Sequence, residues 1–522
     1  MTIEIIRNAL SYIAEETGIA LRNSAYSPNI KERMDHSCAL FDPQGNLLAQ
    51  AEHIPVHLGS LPWGVKNALK YIKNWREKDI VIVNDPYIIG THLNDITLIK
   101  PIFFNKKLIG FSVNKAHHVD VGGKTSGSIS CNAKSLYEEG VVIPPLKLME
   151  QEHINQDFLR DFLDKVRTPD INQGDLRAQI AAANLGEKRV IELARRYGID
   201  TLSSVFYEII SYGERRMREK IKVIPEGIYK AEDCLEGIEN NELTWIRVKL
   251  KREKDKLIVD FLGTDPQLNI PLNAVFGVTL SATYFAIKSI IDPKAPMNEG
   301  SLKPIHILAP EGSLVNPRKP APVSGGNLET SQRIADTVFR ALAEALPHKV
   351  PAASVGSMNN VIIGGFDPVR KKQWVFYETI GGGSGARLGK DGVNGIQCNM
   401  TNTMNTPIEA IEQYYPLFFE NYELRDESCG EGKWRGGRGI KRRWTLTSIS
   451  AEVTVLGDRN RIPPWGLMGG QPGKLGAYWI KRKNGKKEKI KGKTTLILNK
   501  GDTLIIETPG GGGYGNSEER NQ

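Results

Sequence analysis

The stretch from residue 80 to residue 120 opens on Ile80-Val81-Ile82-Val83 and runs through Leu108-Ile109-Gly110-Phe111-Ser112-Val113. Both apolar runs are short enough to be buried strands rather than helices. Each is followed by the same short pattern, His92-Leu93-Asn94-Asp95 after the first and His117-His118-Val119-Asp120 after the second. Both copies are expected to emerge at strand ends. Adjacent strands lie about 5 Å apart, so loops at one sheet edge bring two imidazoles and one or two carboxylates within reach of a single ion.

Upstream, Ile3, Ile6, Leu10, Ile13, Ala14, Thr17 and Leu21 recur at helical spacing, which predicts an amphipathic helix over residues 2–25. Ser37-Cys38-Ala39-Leu40-Phe41 and Leu47-Leu48-Ala49-Gln50 flank Asp42-Pro43-Gln44-Gly45-Asn46, a turn composition that suits paired strands. Downstream, residues 155–220 read as helical, with Ala178 to Leu193 and Glu208 to Lys222 the clearest runs. The second is stopped by Ile224-Pro225-Glu226-Gly227. Alternation at period two returns from Tyr229 to Phe261, and helices are expected near 277–291 and 329–346. The last 85 or so residues hold short strands between Gly and Pro turns, ending in Thr508-Pro509-Gly510-Gly511-Gly512-Gly513-Tyr514-Gly515. The expectation is an α+β, multi-domain mixed α/β chain. Its parts are an N-terminal metal-binding domain over 1–225, a mixed middle domain over 226–437 and a small β-rich C-terminal region over 438–522.

Composition narrows the function classes. At 522 residues, 40% apolar and 25% charged, the chain has the make-up of a large globular protein with more than one core. The net charge of +9 is thinly spread. The basic runs 249–256 and 481–493 alternate with apolar residues and lack interleaved aromatics, so they read as solvated strand faces rather than a polyanion platform. Five scattered cysteines, Cys38, Cys131, Cys234, Cys398 and Cys429, form no CxxC pair, which argues against a disulfide framework or zinc ribbon and suits a reducing cytoplasm. No apolar run approaches the roughly 20 residues of a membrane span, so neither a membrane nor a nucleic acid is an expected partner.

Nine histidines occur, and His36, His53, His57, His92, His117 and His118 fall in the first quarter of the chain. A set of imidazoles and carboxylates suits Mn(II), Fe(II) or Zn(II) better than Mg(II) or a structural zinc site. The same residues also suit turn caps or hydrogen-bonded pairs at an interface, and their spacing alone leaves both readings open. Other motifs fail. Gly122-Gly123-Lys124-Thr125 ends like a phosphate loop, but His118 stands where that motif needs its first glycine. Gly381-Gly382-Gly383-Ser384-Gly385-Ala386-Arg387 has the composition of an anion cradle but equally of a mobile or tightly turning loop, and it matches no dinucleotide or nucleophile-elbow pattern.

Several long segments resemble the hydantoinase B/oxoprolinase family. They are Glu32-Arg33-Met34-Asp35-His36-Ser37-Cys38-Ala39-Leu40-Phe41-Asp42, Ala51-Glu52-His53-Ile54-Pro55-Val56-His57-Leu58-Gly59, Asn84-Asp85-Pro86-Tyr87, Gly90-Thr91-His92-Leu93-Asn94-Asp95 and Ala116-His117-His118-Val119-Asp120-Val121-Gly122-Gly123. Gly326-Asn327-Leu328-Glu329-Thr330-Ser331-Gln332-Arg333, Met400 to Glu409 and Pro463-Pro464-Trp465-Gly466 extend the likeness over nearly the whole chain.

The resemblance implies a metal-containing subunit of enzymes that open cyclic amides, such as hydantoins, 5-oxoproline or caprolactam, at the expense of ATP. ATP is then expected on a separate hydantoinase A-type partner in a hetero-oligomer, which accounts for the missing nucleotide motif. It also implies one divalent metal, Mn, Zn or Fe, on His92, Asp95 and His117, with His118 or Asp120 orienting the ligands. Asp85, His53 and His57 are further candidates for the pocket, and His118, Asp120 and Asp85 are the residues expected to serve catalysis. The alternative is a subunit of an ATP-dependent ketone carboxylase of the acetone or acetophenone type.

Overall fold

The computed structural model describes residues 2–51, 53–238, 242–295 and 297–521. Glu52, in one of the motif segments quoted above, lies outside them. The chain is a mixture of helices and several sheets, as the alternating periodicities predict.

The first sheet has seven strands: β1 (His36–Phe41), β2 (Leu47–Gln50), β3 (Ile80–Val83), β4 (Asp95–Phe104), β5 (Lys107–His117), β6 (Leu146–Glu150) and β7 (His153–Ile154). Their order is β2-β1-β5-β4-β3-β6-β7, and every neighbouring pair is antiparallel. Both faces are covered. Successive strand residues point to opposite faces, so Leu40 joins one core with Leu48, Ile102, Val190 and Phe206. Its neighbours Ala39 and Phe41 join another with Leu61, Val65, Val81 and Ile99. That double burial is why Ile80 to Val83 reads as an unbroken apolar run, although antiparallel strands more often alternate.

Helix α1 (Thr2–Ser24) packs with the helix Pro169–Tyr197 on the first face, burying Ile6, Leu10 and Ile13. The helix His57–Leu69 covers the other and lies against the helix Phe276–Ile291. At that crossing, a Cβ on Gly59 would stand 2.7 Å from the Ser281 backbone nitrogen, so only glycine permits the approach. The Ser281 hydroxyl then accepts the N–H groups of Gly59 and Ser60.

The strands Gly227–Glu236, Leu243–Glu253, Lys256–Asp260 and Ile305–Leu308 form a second sheet, on which the helix Ser331–Ala345 packs. In Leu243–Glu253 burial alternates along the strand, and Lys249 pairs with Asp260 at 3.1 Å on the outer face. Two further sheets enclose a core of Phe376, Trp444, Val453 and Tyr478. Their strands include Asn360–Asp367 and Lys372–Glu378, paired through Ser450–Leu456 to Lys493–Asn499, so ladder bonds cross residue 438.

In the glycine run the backbone N–H groups of residues 382–387 are donated to other parts of the chain, which leaves them unavailable to cradle an anion. Gly383 N donates to Pro509 O, Gly437 N to Ser384 O and Gly511 N to Gly437 O, so three extended glycine-rich segments hydrogen-bond side by side. A Cβ on Gly383 would sit 1.9 Å from the Gly437 carbonyl oxygen. Glycine is required there by backbone contact rather than by turning. Among the described residues, no helix is long and apolar enough to cross a membrane.

Candidate metal centre

In the antiparallel sheet the start of β4 and the end of β5 share one edge, and Asp95 and His117 are direct partners across it. His92 sits in the turn that enters β4, where Asp95 N donates to His92 O. The first pattern therefore opens β4 rather than leaving β3. Side chains pin this turn from three directions. Lys115 Nζ donates to Ile89 O and Thr91 Oγ1, Asn84 Nδ2 to Leu93 O, and Asn94 Nδ2 to the carbonyls of His118 and Gly127.

Three donor atoms converge here. His92 Nε2 lies 3.1 Å from Asp95 Oδ1 and 3.1 Å from His117 Nδ1, and His117 Nδ1 lies 3.3 Å from Asp95 Oδ1. Ligand atoms held about 2.1 Å from one ion, at angles between tetrahedral and octahedral, stand about 3.0–3.4 Å apart. The triangle has that size. Among the described residues this trio is the only cluster of three or more His, Cys, Asp or Glu suited to an ion, and all three are buried. A donor set of two imidazoles and a carboxylate fits a divalent transition metal.

The electrostatics of the trio follow from burial and from contact among its members. Burial opposes ionisation of Asp95, but His92, His117 and His57 around it outweigh that and hold its carboxyl well below the ordinary range. Burial also disfavours the His92 imidazolium, and the Asp95 charge more than offsets it, so His92 stands above its usual value. Burial lowers both His117 and His57. His57 bridges Asp95 Oδ2, 3.4 Å from Nε2, to Ser37 Oγ, 2.9 Å from Nδ1. It therefore fixes the carboxylate without joining the triangle. The outer ring nitrogens, His92 Nδ1 and His117 Nε2, are buried and make no hydrogen bond. His117 is held by packing instead, stacked on Tyr377 with centroids 4.9 Å apart.

The other expected residues are engaged elsewhere. His118, one residue along, points to the opposite side, where its ring meets Gln179 Oε1 at 2.9 Å and Asn172 Nδ2 at 3.2 Å. Asp120 accepts from Gly122 N, Gly127 N and Arg167, bracing a loop. Asp85 caps the short helix Pro86–Ile89 through Tyr87 N and pairs with Lys319 at 2.6 Å. His53 lies against the ring of His36 and meets Glu15 at 3.1 Å. None of these four lines the cavity at the triangle, whereas His57 does.

That cavity gains walls from segments far off in sequence. Asp35, whose carboxylate reaches 4.0 Å from His117 Nδ1, arrives because His117 N donates to Asp35 O. Arg33, fully buried, lies 4.5 Å over the Tyr377 ring and donates to Tyr377 O and Thr379 Oγ1. Asn327, Met358 and residues 400, 401 and 403 close the far side. Asp35, Asn327 and Thr401 all fall in the motif segments quoted above, but local spacing carries no sign that these segments meet.

The family model for "Hydantoinase B/oxoprolinase" matches residues 1–517. An uncharacterized protein of Methanocaldococcus jannaschii is 51% identical over 524 residues, covering all of this chain and 91% of that one. A Pseudomonas chain provisionally named as a subunit of a D-/L-hydantoinase is 35% identical, covering 100% of this chain and 90% of that one. A 5-oxoprolinase of Dictyostelium discoideum is 34% identical over 99% of this chain, which spans only 40% of that longer protein. Among solved structures, the ATP-dependent caprolactamase of Pseudomonas jessenii superposes with a TM-score of 0.93 at 30% identity, over 99% of this chain and 91% of that one. An acetone carboxylase shares the fold, with a TM-score of 0.92 at 20% identity over 99% of this chain and 76% of that one. With a family model matched from end to end and relatives aligned over nearly their whole length, the chain belongs to the hydantoinase B/oxoprolinase family.

Proposed function

We propose that this chain is the metal-dependent subunit of an ATP-dependent cyclic-amide hydrolase of the hydantoinase or 5-oxoprolinase type. It acts on a ring whose carbonyl oxygen a hydantoinase A-type partner has phosphorylated with ATP. The observation that carries this reading is the buried triangle of His92, Asp95 and His117 in a chain of this family. The names of the relatives, a hydantoinase subunit, a 5-oxoprolinase and a caprolactamase, support cyclic amides as the substrate class.

A divalent Mn, Zn or Fe on these three residues would supply Lewis acidity. The chain's own residues do the rest. Asp95 stays ionised and is aimed by His57, while Tyr377 sets the plane of His117. Asp35 is the carboxylate left to take a proton from an attacking water, since its side chain lines the cavity beside His117. Enclosure of the triangle excludes bulk water and strengthens every charge interaction within it.

The test is an ADP-release screen of the chain purified with its ATP-binding partner, over cyclic amides and over ketones with bicarbonate. Turnover is expected with a cyclic amide, with ring-opened product equal to ADP. ATP turnover that depends on a ketone and bicarbonate would replace this reading with the carboxylase one.

A further inference from the structure

Asn327 lines the cavity at the triangle and is only 4% exposed, yet its side-chain Oδ1 makes no hydrogen bond, and its Nδ2 makes none to the described residues. A buried primary amide left unpaired costs about 1–3 kcal/mol, so its presence calls for a ligand. The backbone that carries it is held closely. Residues 326–330 form one π-helical turn, closed by Ser331 N donating to Gly326 O, five residues back. Such turns are rare and concentrate at functional sites. Buried Glu139 accepts Val323 N and Ser324 N just before the turn, and Thr330 Oγ1 donates to Leu272 O at its end. Glu329 Oε1 accepts Met358 N at 3.0 Å and Asn360 Nδ2 at 2.9 Å. The turn is thus clamped through the neighbours of Asn327, and the one side-chain amide that lines the cavity is left to meet something else.

That cavity is about 20 Å³, room for about one water and too small for a ring. Asp35 lines it as well, and its carboxylate stands 3.8 Å from Arg33 Nη2 and 4.0 Å from His117 Nδ1, beyond hydrogen-bond reach of both. The hydroxyls of Thr379 and Thr403, which also line it, bond each other at 2.7 Å. Two strong side-chain acceptors are therefore open on one water-sized space, and a water has two O–H groups to give. The acceptors differ in one respect. A carboxylate keeps a proton it receives, whereas an amide oxygen does not near neutral pH.

We infer that Asn327 is the positioning residue for the attacking water, its Oδ1 accepting one hydrogen while Asp35 accepts the other. With both O–H bonds fixed, the oxygen lone pairs point away from the two acceptors, where the reacting ring carbon must come. As the new O–C bond forms, the O–H bond to Asp35 breaks and leaves its proton on the carboxylate, and the pair of the phosphorylated ring's C=N bond moves to nitrogen. Asn327 keeps its hydrogen bond throughout and exchanges no proton. The inference rests on the hydrolase reading and adds which side chain aims the nucleophile.

Two variants separate positioning from packing. Asn327→Leu keeps the bulk of the side chain and removes both polar ends, and Asn327→Asp restores an acceptor at the same place. On the full complex, with ATP and caprolactam, 2-pyrrolidone or hydantoin, Asn327→Leu should lower kcat about 100-fold with KM within about threefold of wild type. Asn327→Asp should regain about tenfold or more of that loss. Metal content should be unchanged in Asn327→Leu. A crystal structure of the metal-loaded wild-type complex should show one water within about 3.2 Å of both Asn327 Oδ1 and an Asp35 oxygen. This measurement needs no variant to fold. An unchanged kcat in Asn327→Leu, metal lost from that variant in its folded form, or a wild-type crystal structure with no water on Asn327 would each overturn the inference and leave the hydrolase reading intact, provided that wild type opens a ring. A wild-type complex that opens none of the rings would overturn both.

Discussion

Asp95 and His117 are direct antiparallel partners where the interior strand β4 begins and its neighbour β5 ends, with Asp95 Oδ1 3.3 Å from His117 Nδ1. Backbone register thus sets two of the three donor atoms before any side-chain contact is counted. A slip of one residue would send His117 to the opposite face and bring His118 in its place. His92 joins them through the turn that Lys115 and Asn84 hold, and the rest of the site is built on that corner.

His57 touches Asp95 and Ser37 but stands outside the triangle. His57→Ala should leave the three donors in place and weaken metal affinity by about 10- to 100-fold, the usual loss when a residue orienting a ligand is removed. Chelator competition on the purified chain measures it. Affinity within about twofold of wild type would show that Asp95 needs no such support.

Arg459 Nη2 lies 2.8 Å from Asp233 Oδ2 and 2.9 Å from Asp336 Oδ2, with all three side chains buried. It ties the strand Gly227–Glu236 and the helix Ser331–Ala345 to the loop after Ser450–Leu456. Arg459→Met removes one of the two buried cations on these carboxylates and leaves Arg333 as the other, 3.3 Å from Asp233 and 3.6 Å from Asp336, so a loss of up to about 3–5 kcal/mol is expected. The measurement is the shift of the denaturant midpoint.

Gly383→Ala would place a methyl group 1.9 Å from the Gly437 carbonyl, and backbone rather than a flexible side chain would have to move. A lowered thermal midpoint is expected, corresponding to about 1–3 kcal/mol or more. Neither Gly383 nor Gly437 lines the cavity at the triangle, so metal content should be retained by whatever fraction folds.

Burial, followed by the charge of Asp458, raises the Glu329 carboxyl from 4.5 to about 7. Between those values the folded chain keeps a proton that the unfolded chain releases. The contribution of Glu329 to stability is therefore fully present below about pH 4.5 and is lost as pH rises through about 7, up to roughly 3 kcal/mol. Glu329→Gln should flatten that part of the stability profile, because its amide does not titrate. Denaturant midpoints from pH 5 to 8 report it, and an unchanged slope would count against a protonated Glu329.

Legibility follows the range of the interactions. The helix expected over 2–25 appears as Thr2–Ser24, Ile80–Val83 is a strand over the same four residues, and the helix near 277–291 runs Phe276–Ile291, because local periodicity encodes a buried face. β4 carries no such signature, since Pro101 interrupts a pattern whose two faces are both buried. His92, Asp95 and His117 are legible as a repeated pattern, whereas their separation from His118 and Asp120 depends on which way each side chain leaves the sheet edge. Tyr377 and Thr401 meet the triangle across hundreds of residues, Arg33 reaches Tyr377 O from as far, and no spacing in the chain announces such a meeting.

Metal stoichiometry of the purified chain, by elemental analysis of wild type, Asp95→Ala and His118→Ala side by side, is the decisive measurement. One equivalent of a divalent transition metal is expected in wild type and in His118→Ala, and its loss in Asp95→Ala, with folding checked by circular dichroism. Metal retained in folded Asp95→Ala, or lost from folded His118→Ala, would contradict a metal centre built on His92, Asp95 and His117.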